Sequence, residues 1–249
     1  MQRLYKLQFT TLHIFQKTVN GGFFFGLFCG KIRKSRKKEA AAVKNCIIFC
    51  AGGFDSLAVP IPEEALVIAA DGGLRHTQSL GIIPNVILGD FDSLGYVPEG
   101  ANVYPVEKDD TDAMLAVRCG LEQGCDTFYI YGGLEGSRLD HTVANFQTLQ
   151  FLADRGARGY LIGKDYIITV LKNSAIAFEK AEGIVSVFCM GPDAHGVTLS
   201  GLGYPLEDGV LSAGFPLGVS NYFTEKSAQI QVKDGSLLVL WDRKNGFPG

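Results

Sequence analysis

The stretch NVILGDFDS, residues 85–93, is an apolar run that stops at Gly89 and then sets two aspartates two residues apart. Its Val-Ile-Leu core does not alternate with polar residues, the pattern of a strand buried on both faces. ALVIAADGG (65–73) repeats the design and ends on Asp71-Gly72-Gly73, and NCIIFCAGG (45–53) ends on a glycine pair. In extended chain Asp90 and Asp92 point to the same side with Cα atoms roughly 6.5 Å apart. At an effective dielectric near 20, carboxylates about 5 Å apart repel by about 3 kcal/mol. Solvent, a basic partner or a metal ion has to offset that cost.

Working outward, NVYPVEKDD (102–110) reads as a fourth strand and TFYIYGG (127–133) as a fifth. Helical stretches separate them. LRHTQSLG (74–81) suits a short helix closed by Gly81. TDAMLAVRCGLEQG (111–124) puts Ala113, Leu115–Val117 and Leu121 on one face, with Asp110 or Thr111 as N-cap. SRLDHTVANFQTLQFLADRG (137–156) carries apolar residues at 139, 143, 146, 149 and 152. Buried strands alternating with helices predict a mainly parallel sheet. Beyond about residue 165 the helical pattern is gone, and short strand-like runs follow: YIITVL, SAIAFE, IVSVFCM, GVTLSGL and GVLSAG. AQIQV-KDG-SLLVLW reads as a hairpin around Asp234-Gly235. The expected fold is α/β followed by all-β. Residues 45–165 form a mainly parallel, Rossmann-like nucleotide-binding domain, and 166–249 a small β-sandwich or barrel.

Charge is divided unevenly. Residues 1–44 hold ten Lys/Arg and one acid, and the rest holds 13 bases against 25 acids. An acidic body argues against nucleic acid as the main partner. GGFFFGLFCG (21–30) is too short to span a bilayer, and the basic run KIRKSRKK follows it, the reverse of a secretory signal. Residues 1–44 therefore read as a basic, poorly ordered leader, with a membrane-surface or targeting role as the other reading. The six cysteines form no CxxC pair and no zinc-spaced cluster, which fits a reducing, cytoplasmic setting.

Between 71 and 112 lie eight acids against Arg75 and Lys108. A lone aspartate after a strand is commonly a turn or cap residue. Here Asp71, Asp90 with Asp92, and Asp109 to Asp112 each follow a predicted strand, so three loops bring carboxylates to the strand ends that line the ligand crevice of an open α/β sheet. Oxygen-only ligands of this kind suit Mg²⁺ with substrate phosphates completing its shell. GGLEGSRLDH (132–141) adds a glycine-rich turn opening a helix, with Arg138 and His141 near a phosphate-attracting N-terminus. Neither GxxxxGK[ST] nor GxGxxG is present, and FDSLG lacks the first glycine of a nucleophile elbow.

Taken in order, AADGG (69–73), LGDFDS (88–93), KDDTD (108–112), GGLEGSRLDH (132–141), SGLGYPLED (200–208) and GVSNYF (218–223) resemble the thiamin pyrophosphokinase family over about residues 45–245. The resemblance implies a Mg²⁺-dependent transfer of pyrophosphate from ATP to the hydroxyl of thiamin, releasing AMP. It implies Asp71, Asp90, Asp92 and Asp112 as metal ligands, with Asp71, Asp92 and Asp112 carrying the catalysis. Lys108, Asp109, Thr111, Arg138, Asp140 and His141 would join those aspartates in binding ATP. Tyr204, Ser220 and Asn221 would meet thiamin in a cleft shared by the two chains of a homodimer. Met114 stands where many relatives carry an acid, Ser137 replaces a glycine found in part of the family, and residues 1–44 have no counterpart. Two other readings compete: a pyrophosphokinase or phosphotransferase acting on another alcohol, and a non-catalytic nucleotide sensor.

Overall fold

The computed structural model describes residues 44–248 apart from Lys108, Glu225 and Lys226. The leader reading of residues 1–44 therefore lies, Lys44 aside, outside the described residues, as does the assignment of Lys108 to ATP. Strands β1 (Asn45–Phe49) and β2 (Leu66–Ala70) are joined by a loop, and a 3-10 turn at Asp71–Gly73 and helix α1 (Leu74–Ser79) lead from β2 to β3 (Val86–Gly89). β4 (Asn102–Val103), α2 (Asp112–Glu122), β5 (Thr127–Tyr131), α3 (Leu139–Ala153) and β6 (Arg158–Ile162) follow. These six strands run parallel in the order β6-β5-β1-β2-β3-β4. β1 and β2 are buried along almost their whole length, as their unbroken apolar sequence requires.

The remaining strands are β7 (Tyr166–Lys172), β8 (Ala175–Phe178), β9 (Ile184–Cys189), β10 (Ala194–Ser200), β11 (Leu206–Leu211), β12 (Gly218–Tyr222), β13 (Ala228–Gln231) and β14 (Ser236–Asp242). β7, β14, β9 and β12 extend the parallel sheet antiparallel beyond β6, giving one ten-stranded sheet. β11-β10-β13-β8 form a separate antiparallel sheet. Ile176, Phe178 and Ile230 from the small sheet share one buried cluster with Val185, Val239 and Trp241 from the large one. No helix among the described residues is long and apolar enough to cross a membrane.

Three local expectations are corrected. The Asp234-Gly235 turn makes no hairpin, because β13 pairs with β10 and β8 while β14 pairs with β7 and β9 in the other sheet. Burial explains the difference: β13 alternates, as a one-faced strand does, whereas most of β14 is buried on both sides. The fourth strand is only two residues long. Pro105 has no N–H for a ladder, and the chain leaves the sheet after Tyr104 N–H bonds the Gly89 carbonyl at 2.9 Å. In α3 the expected apolar face fails at its start, where Leu139 and Val143 are exposed. The helix buries Asn145, Thr148, Leu149 and Leu152 instead. Asn145 is held inward by its amide, which donates to the Gly133 carbonyl at 2.7 Å.

Candidate active site

Strand order reverses between β1 and β5, so the loops that follow these strands diverge there and leave a crevice. An open cleft of about 920 Å³ lies at this point. The loop after β1, residues 50–53, is pinned to the turn after β5 by Cys50 N–H to Tyr131 O at 2.8 Å and Gly52 N–H to Gly132 O at 2.9 Å. Gly132 has φ +68°, and a Cβ on it would fall 2.3 Å from the Cys50 carbonyl oxygen, so no other residue fits.

β2 delivers Asp71 to the cleft at its C-terminal end, with φ +46°, a left-handed conformation that is costly for a non-glycine residue. Its side chain is 7% exposed. Ser93 Oγ donates to Asp71 Oδ2 at 2.5 Å, and Asp71 Oδ1 is buried with no hydrogen-bond partner. β3 ends at Gly89, so Asp90 and Asp92 do not lie on extended chain as the spacing argument assumed. Phe91 between them has φ +61° and is 2% exposed. Its buried ring anchors a turn, and the turn rather than strand alternation puts the two carboxylates together. Ligand oxygens of Asp71, Asp90 and Asp92 all lie within 4.8 Å of one another.

That trio fits a divalent cation. Three carboxylates at this separation repel, the most buried one keeps an unpartnered oxygen, and the donor set is all oxygen, which selects Mg²⁺ or a similar hard ion. Asp112, included in the expected metal set, lines the cleft but stands outside the trio. It opens α2, capped by Thr111, whose hydroxyl oxygen accepts from Met114 N–H at 3.2 Å. Its charge also bears on Cys50: burial first, and then Asp112, push that thiol up to about 12.

Asp109, Thr111, Arg138 and His141 line the same cleft. Asp140 does not line it and pairs with Arg138, Nη2 to Oδ2 at 2.6 Å and Nε to Oδ1 at 3.0 Å. The guanidinium holds the Asp140 carboxyl down at about 2. Arg138 also feels the negative charge of Asp92. Sequence reasoning missed Ser93, although it lies inside the quoted LGDFDS and its hydroxyl was the available signal. Asn145 gave no signal, being a polar residue that the helical pattern could only place on a surface. Arg118, whose Nε lies 3.1 Å from Asp110 Oδ2, was equally silent.

Tyr204, Ser220 and Asn221 come together elsewhere. Asn221 is buried, and its Oδ1 accepts from Tyr204 N–H and Tyr222 N–H, both at 2.9 Å. Its Nδ2 donates to Tyr204 O at 2.8 Å. Asn221 thus fixes the Tyr204 backbone, and the Tyr204 ring is 67% exposed and edge-on to Tyr222 at 5.8 Å. Ser220 has φ +56° and is exposed. Its strand, β12, ends the large sheet seven positions from β2. At about 4.8 Å per strand that separation is roughly 30 Å.

Comparison with known proteins accords with this geometry. Residues 61–161 match the family model "Thiamin pyrophosphokinase, catalytic domain" and residues 168–237 match "Thiamin pyrophosphokinase, vitamin B1 binding domain". A thiamine pyrophosphokinase of Bacillus subtilis is 30% identical over 188 residues, covering 72% of this chain and 87% of that protein. The crystal structure of a thiamine pyrophosphokinase from Bacillus subtilis superposes with a TM-score of 0.69 at 28% identity, covering 79% of this chain and 98% of the other. Thiamin pyrophosphokinase from Candida albicans shares the fold at 16% identity, with a TM-score of 0.62 over 80% of this chain and 89% of that one.

Proposed function

The chain belongs to the thiamin pyrophosphokinase family and is an enzyme that pyrophosphorylates thiamin, and from that premise we propose how its residues do so. ATP occupies the cleft between the loops after β1 and β5, with Mg²⁺ held by Asp71, Asp90 and Asp92. The observation that carries this reading is the trio of carboxylates within 4.8 Å, one of them with a buried, unpartnered oxygen. Bound Mg²⁺ would neutralise charge on the phosphates and draw electron density from the phosphorus under attack.

The chain's own residues do the rest. The glycine turn at 132–136 and the N-terminus of α3 offer backbone dipoles to the phosphate chain, and Arg138 adds a fork of donors once it leaves Asp140. Asp109, Thr111 and His141 border the nucleotide on the same rim. The thiamin hydroxyl attacks the β-phosphorus, the bond to the α-phosphate oxygen breaks, and AMP departs. Asp112, on the rim but outside the trio, accepts the hydroxyl proton. Positioning and charge neutralisation supply most of the acceleration, as in phosphoryl transfer generally.

A division near residue 165 belongs to the same proposal, with a Rossmann-like nucleotide half and a β-sandwich thiamin half. The gap between the two matched stretches, from 161 to 168, supports it. Tyr204 and Ser220 contact thiamin, and Asn221 acts by holding Tyr204. Since β12 lies roughly 30 Å from β2 across the sheet, one chain does not close a pocket around both substrates. A homodimer that sets β12 of one copy over the acidic cleft of the other does. Exposed Ile184, Tyr204, Phe215, Leu217, Val219 and Tyr222 give that contact an apolar surface. The cytoplasm is the proposed location, supported by the unbridged thiols of Cys46, Cys50, Cys125 and Cys189.

The test is stoichiometry. Purified protein given MgATP should release AMP only when thiamin is added, with one thiamin diphosphate formed per AMP. AMP release driven equally well by another alcohol would move the assignment to that substrate. ATP binding without any AMP would reduce the protein to a sensor.

A further inference from the structure

The wall of the nucleotide cleft is made of loops that touch one another edge to edge, and one side chain from the far end of the sequence joins them. Glu135 sits in the glycine turn after β5. Its carbonyl accepts from Gly53 N–H, and its carboxylate Oε1 accepts from Lys164 N–H in the turn between β6 and β7. Arg243, just past β14, meets the same two neighbours from outside. Its Nη1 donates to Gly163 O at 2.9 Å, and its Nη2 donates to Ser56 O at 2.6 Å and Ser56 Oγ at 3.0 Å. Arg243 N–H bonds Asp165 O at 2.8 Å. The residue is itself held in place. Trp241 Nε1 donates to Gly246 O at 2.8 Å, and Phe247 packs edge-on against Tyr129 and Tyr160 at 5.2 and 4.8 Å.

We infer that Arg243 is a positioning residue for the nucleotide, fixing the 52–56 loop and the 163–165 turn against the glycine turn that receives the phosphates. The inference rests on the reading that ATP binds in this cleft. A planar guanidinium can bridge two loops with two nitrogens in one rigid unit, which an ammonium on a flexible stem cannot. Ser56 and Arg243 both fall outside the stretches matched to the family models, 61–161 and 168–237.

Arg243→Ala and Arg243→Lys in the full chain test it, with steady-state kinetics for both substrates and amide hydrogen exchange with a non-hydrolysable ATP analogue. The expected result is a rise in KM for ATP of about tenfold in both variants, with KM for thiamin within about twofold of wild type. Arg243→Lys keeps the charge, so a role in charge or bulk stability alone would be rescued by it. In both variants exchange should quicken at residues 52–56 and 163–165 together. If Arg243→Ala fails to fold, the lysine variant carries the same comparison. An unchanged KM for ATP, an equal rise for both substrates, or full rescue by lysine overturns the inference. Wild-type protein separates the two levels. If the analogue fails to protect residues 132–138 in it, the placement of ATP falls and the inference with it. Protection there with unaffected variants removes Arg243 alone.

Discussion

The Ser93 hydroxyl donates to Asp71 Oδ2 at 2.5 Å, and this bond turns the other oxygen, Oδ1, into a buried site without a partner. Ser93 thereby orients the most buried carboxylate of the trio. Outer partners of this kind commonly contribute 10–100-fold (roughly) in metal affinity. Ser93→Ala should weaken Mg²⁺ activation by about that factor, with maximal turnover at high Mg²⁺ largely recovered. A Mg²⁺ titration of AMP release checks it, and an unshifted activation curve counts against the role.

Asp112 stands apart from the trio, so its loss should separate proton acceptance from metal binding. Asp112→Asn should lower kcat by about 10²–10⁴ while Mg²⁺ and ATP still bind. Calorimetry on the variant decides the matter. Loss of metal binding in parallel with kcat would return Asp112 to the metal set.

Cys50 lies at the cleft yet is buried, and burial together with the Asp112 charge raises its thiol to about 12. Between its ordinary 9.0 and about 12 the unfolded chain ionises while the native one keeps its proton. The native state therefore loses stability as pH rises through that window, and the full contribution is present only below it. Native Cys50 should resist iodoacetamide at pH 8.5, and Asp112→Asn should label faster by removing the second cause. Peptide mass mapping reads both, and ready labelling of the native wild type would contradict the burial.

Thiamin recognition is expected to depend on Tyr204. A ring face against a cationic thiazolium is worth about 0.5–2 kcal/mol, so Tyr204→Ala should raise KM for thiamin by roughly 2–30-fold and leave ATP binding intact. Dimers inactivated by Asp92→Asn, exchanged with those weakened by Tyr204→Ala, should regain activity, because half of the mixed clefts carry neither change. Equal loss of both substrates, or no recovery after demonstrated subunit exchange, would contradict the shared cleft.

Much of this fold is readable from the chain because β1, β2 and β3 are unbroken apolar runs that end on glycine or aspartate, which fixes both their burial and the rim they serve. The acidic rim follows from strand ends alone. The hairpin reading failed because Asp234-Gly235 turns the chain tightly whether the next strand returns or changes sheet, and only the burial of β14 tells these apart. Phe91 is hidden for a related reason: a left-handed backbone at an aromatic residue has no sequence signature. The family resemblance implies a thiamin contact at Asn221 in GVSNYF, and the structure adds hydrogen bonds from its side chain to the backbone of Tyr204 and Tyr222, 17 and one positions away. Local patterning cannot foresee a partner at such separation.

The central claim is that Asp71, Asp90 and Asp92 form one metal site that carries the transfer. AMP release by Asp92→Asn across a full range of Mg²⁺ tests it most directly, with circular dichroism to establish that the fold is kept. An amide cannot replace an anionic ligand, so turnover should fall by about 10² or more and stay low at saturating Mg²⁺. Turnover near that of the wild type at saturating Mg²⁺ would contradict the account.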